Sequence, residues 1–217
     1  MTSARKVTQG GCSFKADAKG EADHVVLGGY SCTGPLKECK WYSIRLDRSE
    51  VPWLFLKGHG SRTISASELL ASLVCVHCFA DRGSSPYAGK VAVTGITDNQ
   101  GNSYIVAKGM TTKFPVAPVL MELVRQLACR QLWLGLVWAP REENTAADAL
   151  TNSDFALFSL ENRVPVTWEE LKSSFTDLIQ YVELGKSFYG EIADLEKRKA
   201  ETKNWRPFKA KKVSNPW

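Results

Sequence analysis

The order of local patterns along the chain constrains its fold more than any other feature. Three runs suited to strands come first, with no helical pattern between them: CSFKAD (12–17), HVVLGGYSC (24–32) and KWYSIRL (40–46). Helix and strand patterns then alternate. TISASELLASLVCVHCFADRG (63–83) reads as a helix, KVAVTGITD (90–98) as a strand and APVLMELVRQLACRQ (117–131) as a second helix. LWLGLVWAP (132–140) reads as a buried strand, and NTAADAL as a short helix after it. The order β-β-β-α-β-α-β-α implies an α/β domain with a five-stranded mixed sheet, its first three strands antiparallel, flanked by helices.

Local chemistry adds detail. The polar stretch AKGEAD is the expected turn between the first two strands, and Gly28-Gly29 marks a bulge or a close backbone approach. DRSEVP breaks the third strand, and WLFLKG (53–58) continues the edge or turns against the sheet. Ser65, three residues before Glu68, has capping-box spacing, with Leu69, Leu73, Val76 and Phe79 or Ala80 as an apolar stripe. NQGNSYIVAKG, after the fourth strand, starts polar as a strand-to-helix junction does. From about Trp168 the pattern is helical again, with Leu171, Phe175, Leu178, Ile179 and Val182 at helical spacing. These patterns divide the chain into a leader (1–10), a main domain (11–160), a helical extension (161–200) and a basic tail (201–217).

A hydrophobic content of 44% with seven Trp and nine Phe supplies a real core. No uninterrupted apolar run approaches the length of a membrane span. MTSARKVTQGG is basic with no apolar run behind it, so it is not a secretory signal. An intracellular location, in cytoplasm or nucleus, and reduced thiols for the six cysteines are therefore expected. Eight of the 28 Lys and Arg residues fall in 197–217 against one acid, Glu201, which suits a phosphate backbone or another anionic surface.

Four acids occupy telling places in that order. Asp17 ends the first strand, Glu68 lies in the first turn of the first helix, Asp98 ends the fourth strand and Asp148 lies on the last short helix. If the first and fourth strands are neighbours, Asp17 and Asp98 emerge side by side with Glu68 and Asp148 around them. Converging carboxylates stay ionised together only with a cation between them, which points to Mg²⁺ or Mn²⁺.

With these acids in place, TDNQGN at the third and PREENTAADALTN at the fourth, the chain resembles the ribonuclease H domain of a retroelement reverse transcriptase, of the DIRS type or related. KADAKGE and SELLAS supply the first two acids by order and spacing. The resemblance covers roughly residues 12–152. It implies a ribonuclease H-like fold, two Mg²⁺ or Mn²⁺ ions held by Asp17, Glu68, Asp98 and Asp148 as catalytic ligands, and hydrolysis of the RNA strand of an RNA–DNA hybrid. It also implies an upstream polymerase domain as partner, while the lack of a long apolar run leads us to expect no membrane association. Many family members have a His-containing loop before the last acid, where this chain has Ala139-Pro140-Arg141-Glu142-Glu143. The Lys- and Trp-rich protrusion of some relatives is missing too.

Ser67, Asn99, Asn102, Asn144, Lys209, Lys211 and Lys212 are the candidate nucleic-acid contacts, with Trp205 able to stack on a base or dock on the body. Cys75 and Cys78, in the sequence CVHC on a helix with no second pair, read as core rather than zinc ligands. A non-catalytic ribonuclease H-like binding or connection module is the alternative. An integrase fits less well, because its third acid is usually a Glu on a helix.

Overall fold

The structure, a computed structural model, describes residues 13–56, 58–80 and 91–185. The leader, the loop 83–89, the extension beyond residue 185 and the basic tail with Lys209, Lys211, Lys212 and Trp205 lie outside the described residues.

Five strands form one sheet in the order β3-β2-β1-β4-β5. β1 (Ser13–Gly20), β2 (His24–Ser31) and β3 (Trp41–Asp47) are antiparallel neighbours, while β4 (Val91–Thr97) runs parallel to both β1 and β5 (Leu132–Trp138). With helices on both faces, this is the five-stranded mixed sheet that the sequence order implied and the ribonuclease H-like fold that the resemblance implied. Phe14, Ala16 and Ala18 of β1 alternate into the main core, and Ser13, Lys15, Asp17 and Lys19 take the other face. The first turn is tighter than AKGEAD suggests. Gly20 still pairs with Val25, and the Glu21 amide donates to the His24 carbonyl at 2.9 Å, so Asp17 sits inside β1 rather than at its end.

The Gly28-Gly29 pair makes close approaches, with β-pairing unbroken on both sides. A Cβ on Gly28 would stand 2.8 Å from Leu150 Cβ, and one on Gly29 would collide with Cys75 Sγ. One glycine therefore admits α4 (Thr145–Thr151) to one sheet face, and the next admits α1 (Ile64–Phe79) to the other.

α1 is buried nearly all round, between the sheet and α3 (Val116–Cys129), so its apolar stripe widens to most of the helix. Its start differs from the capping box expected at Ser65 and Glu68. A 3-10 turn, Gly60–Thr63, feeds directly into it, and Thr63 donates to the carbonyls of Leu54 and Gly60 instead of capping. Ser65 thus lies within the helix, and Glu68 is released to face the sheet end. Residues 53–55 form a buried 3-10 turn rather than an edge strand.

Two helices, not one, lie between β4 and β5. α2 (Gln100–Lys108) is capped by Asn99, whose side chain accepts from the Asn102 amide at 3.1 Å, and it ends at Gly109 in the left-handed region. After β5 and α4, Phe155 and Phe158 fold back on Trp41 and Tyr30, forming a second core under α4 with Ala147 and Leu150. α5 (Trp168–Ser174) opens on a Thr167–Glu170 capping box, and helical residues follow at 176–185. Trp168, Leu171, Phe175, Leu178 and Val182 join the main core. Fully buried Glu122 of α3 fastens this segment, accepting from Arg125, Gln126 and the Leu178 amide.

Candidate active site

Parallel register assembles the site. Lys15 of β1 pairs with Ile96 of β4, so two residues further on Asp17 lies beside Asp98, just past the end of β4. Glu68 reaches the same point from α1. One carboxylate oxygen from each of Asp17, Glu68 and Asp98 lies within 4.8 Å of the other two. Asp17 and Glu68 are only 6% and 8% exposed, which places much of this negative charge away from water.

The electrostatics follow from that crowding. Burial, then the charge of Asp98, pushes the Asp17 carboxyl up to about 6, with the Ala18 amide and the Thr151 hydroxyl opposing. Burial, again reinforced by Asp98, pushes Glu68 up to about 8, while the Asn99 side chain and Arg141 pull the other way. Glu68 Oε2 and Asp98 Oδ1 are buried oxygens with no hydrogen-bond partner among the described residues. Converging hard oxygen donors left unsatisfied fit a divalent cation such as Mg²⁺ or Mn²⁺.

Asp148 stands beside this trio rather than within it. Gly28 lets α4 sit close to β2, and Thr151 of that helix lies 3.2 Å from Asp17 Oδ2. The Asp148 carboxylate is near enough to Asp17 to act on it electrostatically, yet its own oxygens are taken. Arg141 donates to Oδ1 at 2.5 Å, and Asn152 to Oδ2 at 2.9 Å. Arg141 belongs to the 3-10 turn Arg141–Glu143 that joins β5 to α4. Its guanidinium also feels Asp17 and Asp98, so it acts as a cation at the rim of the acid cluster.

No family model matches the chain, and no curated protein matches it. Among solved structures it is similar to ribonuclease H1 from the archaeon Halobacterium salinarum, with 15% identity over 68% of this chain and 98% of that one, at a TM-score of 0.43. LC11 ribonuclease H1 in complex with an RNA/DNA hybrid matches at 16% identity over 67% and 99% of the two chains, with a TM-score of 0.43. The N-terminal ribonuclease H domain of a Mycobacterium tuberculosis protein, solved as a fusion with maltose-binding protein, matches at 17% identity over 67% and 94%, with a TM-score of 0.37. At these identities the likeness concerns the fold, which the strand order already defines.

Of the described residues expected to touch nucleic acid, only Asn99 lies partly open beside the cluster, where it also donates to Ser65 Oγ at 3.1 Å. Ser67, Asn102 and Asn144 are buried. Asn102 ties α2 to α1 through the Ser65 carbonyl at 2.9 Å, and Asn144 ties the α4 start to β1 through the Ala16 carbonyl at 3.1 Å. Cys75 packs in the core, and His77 stacks edge-on against Phe175. Sequence reasoning missed Arg141, Thr151 and Asn152. The last two follow Asp148 by three and four residues, a helical spacing that marks them as its neighbours. No described helix is long and apolar enough to cross a membrane.

Proposed function

We propose that the chain is a divalent-metal-dependent endonuclease that hydrolyses the RNA strand of RNA–DNA hybrids during reverse transcription of a retroelement, beside an upstream polymerase domain and within the cell. The observation that supports this most is the orphaned pair Glu68 Oε2 and Asp98 Oδ1 converging with Asp17 at the end of the sheet. The retroelement context comes from the PREENTAADALTN resemblance. In this reading residues 11–160 form the nuclease body, 161–200 a helical extension, and 201–217, with Lys209, Lys211 and Lys212, a tail that grips phosphates.

Asp17 and Asp98 would hold both of two Mg²⁺ or Mn²⁺ ions, Glu68 one of them, and Asp148 the other once it parts from Arg141. Ions so held supply the activation of water and the charge neutralisation that phosphodiester hydrolysis needs. Glu68 gives up its proton to take that role. Asn152 and Thr151 orient Asp148 and Asp17, and Asn99 sits at the cluster's open side, where the 2′-hydroxyls of an RNA strand pass.

Cleavage of a labelled RNA–DNA hybrid, compared with single-stranded RNA and duplex DNA with and without Mg²⁺, tests the reading. Asp98→Asn is expected to abolish Mg²⁺-dependent cleavage while the circular dichroism and melting curves keep the folded form. Full activity in that variant refutes the assignment. The Arg141–Asp148 pair favours one alternative, a hybrid-binding module without catalysis. Hybrid binding with no cleavage even in Mn²⁺ would select it.

A further inference from the structure

Strand register defines rows across the face of the sheet that α4 covers. Asp17, Gly28 and Ser43 form one row, and Lys19, Val26 and Arg45 form the next. The two rows are about 7 Å apart, two residues along a strand. α4 ends over the first row, where Ser43 Oγ donates to the Leu150 carbonyl at 2.9 Å. The chain then turns through Asn152 and Ser153, the latter with a positive φ of 60°. The second row is therefore left open beneath that turn, as a cavity of about 280 Å³.

Cations crowd this cavity. Lys19 and Arg45 line it from the sheet, and Arg163 closes it from the segment after α4. Arg163 lies over the rings of Trp41 and Phe155, at 5.2 and 5.4 Å from their centroids, with a hydrogen bond of 3.2 Å to the Ser43 carbonyl. That stacking fixes a guanidinium fork, and no ion pair joins it to an acid among the described residues. Lys19 pairs with Glu21 at 3.1 Å, and Arg45 with Asp47 at 3.0 Å and Asp23 at 3.8 Å, all solvent-exposed pairs of the kind worth little. Asp23 and His24, hydrogen-bonded together at 2.7 Å, complete this outer rim. The cavity's inner wall is shared with the carboxylate site, since Thr151 reaches Asp17 and Asn152 holds Asp148.

We propose that this cavity binds a backbone phosphate of the nucleic acid whose neighbouring segment lies on the Asp17–Glu68–Asp98 cluster. Arg163 supplies a fork suited to two phosphate oxygens and Lys19 a point charge beside it, while Asn152, whose side-chain amide donates to the Asp148 carbonyl and carboxylate, ties the cavity wall to Asp148. A positively lined seat one row from an acidic cluster holds a polyanion in register without having to bring its charge onto bare carboxylates. The inference rests on the nucleic-acid reading of those carboxylates.

The test is fluorescence anisotropy of a labelled RNA–DNA hybrid with the full chain in EDTA, over 50–200 mM salt, where binding is read without cleavage. Arg163→Gln and Lys19→Gln are each expected to weaken binding about five- to tenfold and to lower the log–log salt slope by about one. Lys172→Gln, on α5, is expected to change neither. Arg163→Gln also removes the stacking on Trp41, so Lys19→Gln, which supports no ring, is the deciding variant. Wild-type affinity and salt slope in Lys19→Gln overturn the proposal. So does inorganic phosphate binding that Arg163→Gln removes while hybrid affinity stays intact, which identifies a small-anion site instead. Weakened binding in Lys19→Gln together with no hydrolysis by the wild type keeps this site and rejects the nuclease; hydrolysis with unaltered binding does the reverse.

Discussion

Glu68→Gln is expected to make the metal-free protein more stable in base, with the sign set by linkage. Glu68 has an ordinary value of 4.5 when unfolded and about 8 when folded. Below pH 4.5 both states hold the proton and its contribution is complete. Between pH 4.5 and 8 the unfolded state releases the proton first, so folding loses stability as pH rises. Each tenfold change in proton affinity is worth about 1.4 kcal/mol, so the full loss at Glu68 approaches about 5 kcal/mol. Asp17, raised from 3.8 to about 6, adds about 3 kcal/mol of loss over the window below it. Glutamine keeps the shape of Glu68 and carries no charge. In EDTA, urea unfolding followed at a series of pH values is expected to give matching stabilities near pH 4. By pH 9 the variant should exceed the wild type by several kcal/mol. Adding Mg²⁺ at pH 8 should stabilise the wild type and leave the variant almost unmoved. Parallel pH profiles for the two proteins refute the claim that Glu68 is a buried, charge-frustrated carboxyl.

Two further perturbations probe how the site is held. Gly28→Val places carbon where Leu150 Cβ already lies 2.8 Å away, so α4 must lift from the sheet; a stability loss of about 1–3 kcal/mol is expected, together with weaker Mn²⁺ binding by calorimetry. Arg141→Gln frees the Asp148 carboxylate from an exposed pair worth at most about 1 kcal/mol. Mn²⁺ affinity at the weaker of two sites should rise up to about fivefold, and calorimetry showing an unchanged or lower affinity excludes Arg141 as a competitor of the metal.

Much of this arrangement was legible in the sequence because its signals are local and periodic. The strands and their order follow from alternation, and Asp17 and Asp98 become neighbours once β1 and β4 pair. The Gly28-Gly29 pair was readable as a close approach, although not that each glycine serves a different face. What escaped depends on tertiary contacts. Ser65 and Glu68 have the spacing of a capping box, yet the 3-10 turn Gly60–Thr63 enters α1 earlier and commits Thr63 to the carbonyls of Leu54 and Gly60. One helix was expected between β4 and β5 because the segment between Asn99 and Gly109 is weakly amphipathic, and only the Asn99 cap and the Gly109 terminus define α2. Arg141 escaped because a charged loop residue has no periodicity, and its partner lies on a helix whose position depends on Gly28.

The four acids meet their mutual repulsion in two different ways. Among the described residues Asp17, Glu68 and Asp98 form no ion pair, so burial and proximity leave Glu68 holding its proton at neutral pH. Asp148 sits nearer the surface, at 31% side-chain exposure, and takes Arg141 as its counter-ion. A cation entering among the first three therefore displaces a proton, whereas one drawing on Asp148 displaces an arginine. These two costs answer to different conditions. Proton release weakens as pH rises, since the carboxyls are then already ionised. The arginine pair is exposed, so salt weakens it while leaving the buried trio much less affected. Occupation of the two proposed metal positions should thus be separable: the one at Glu68 governed by pH, the one at Asp148 by the hold of Arg141. The charged turn between β5 and α4 therefore sets the terms on which the fourth carboxylate becomes available.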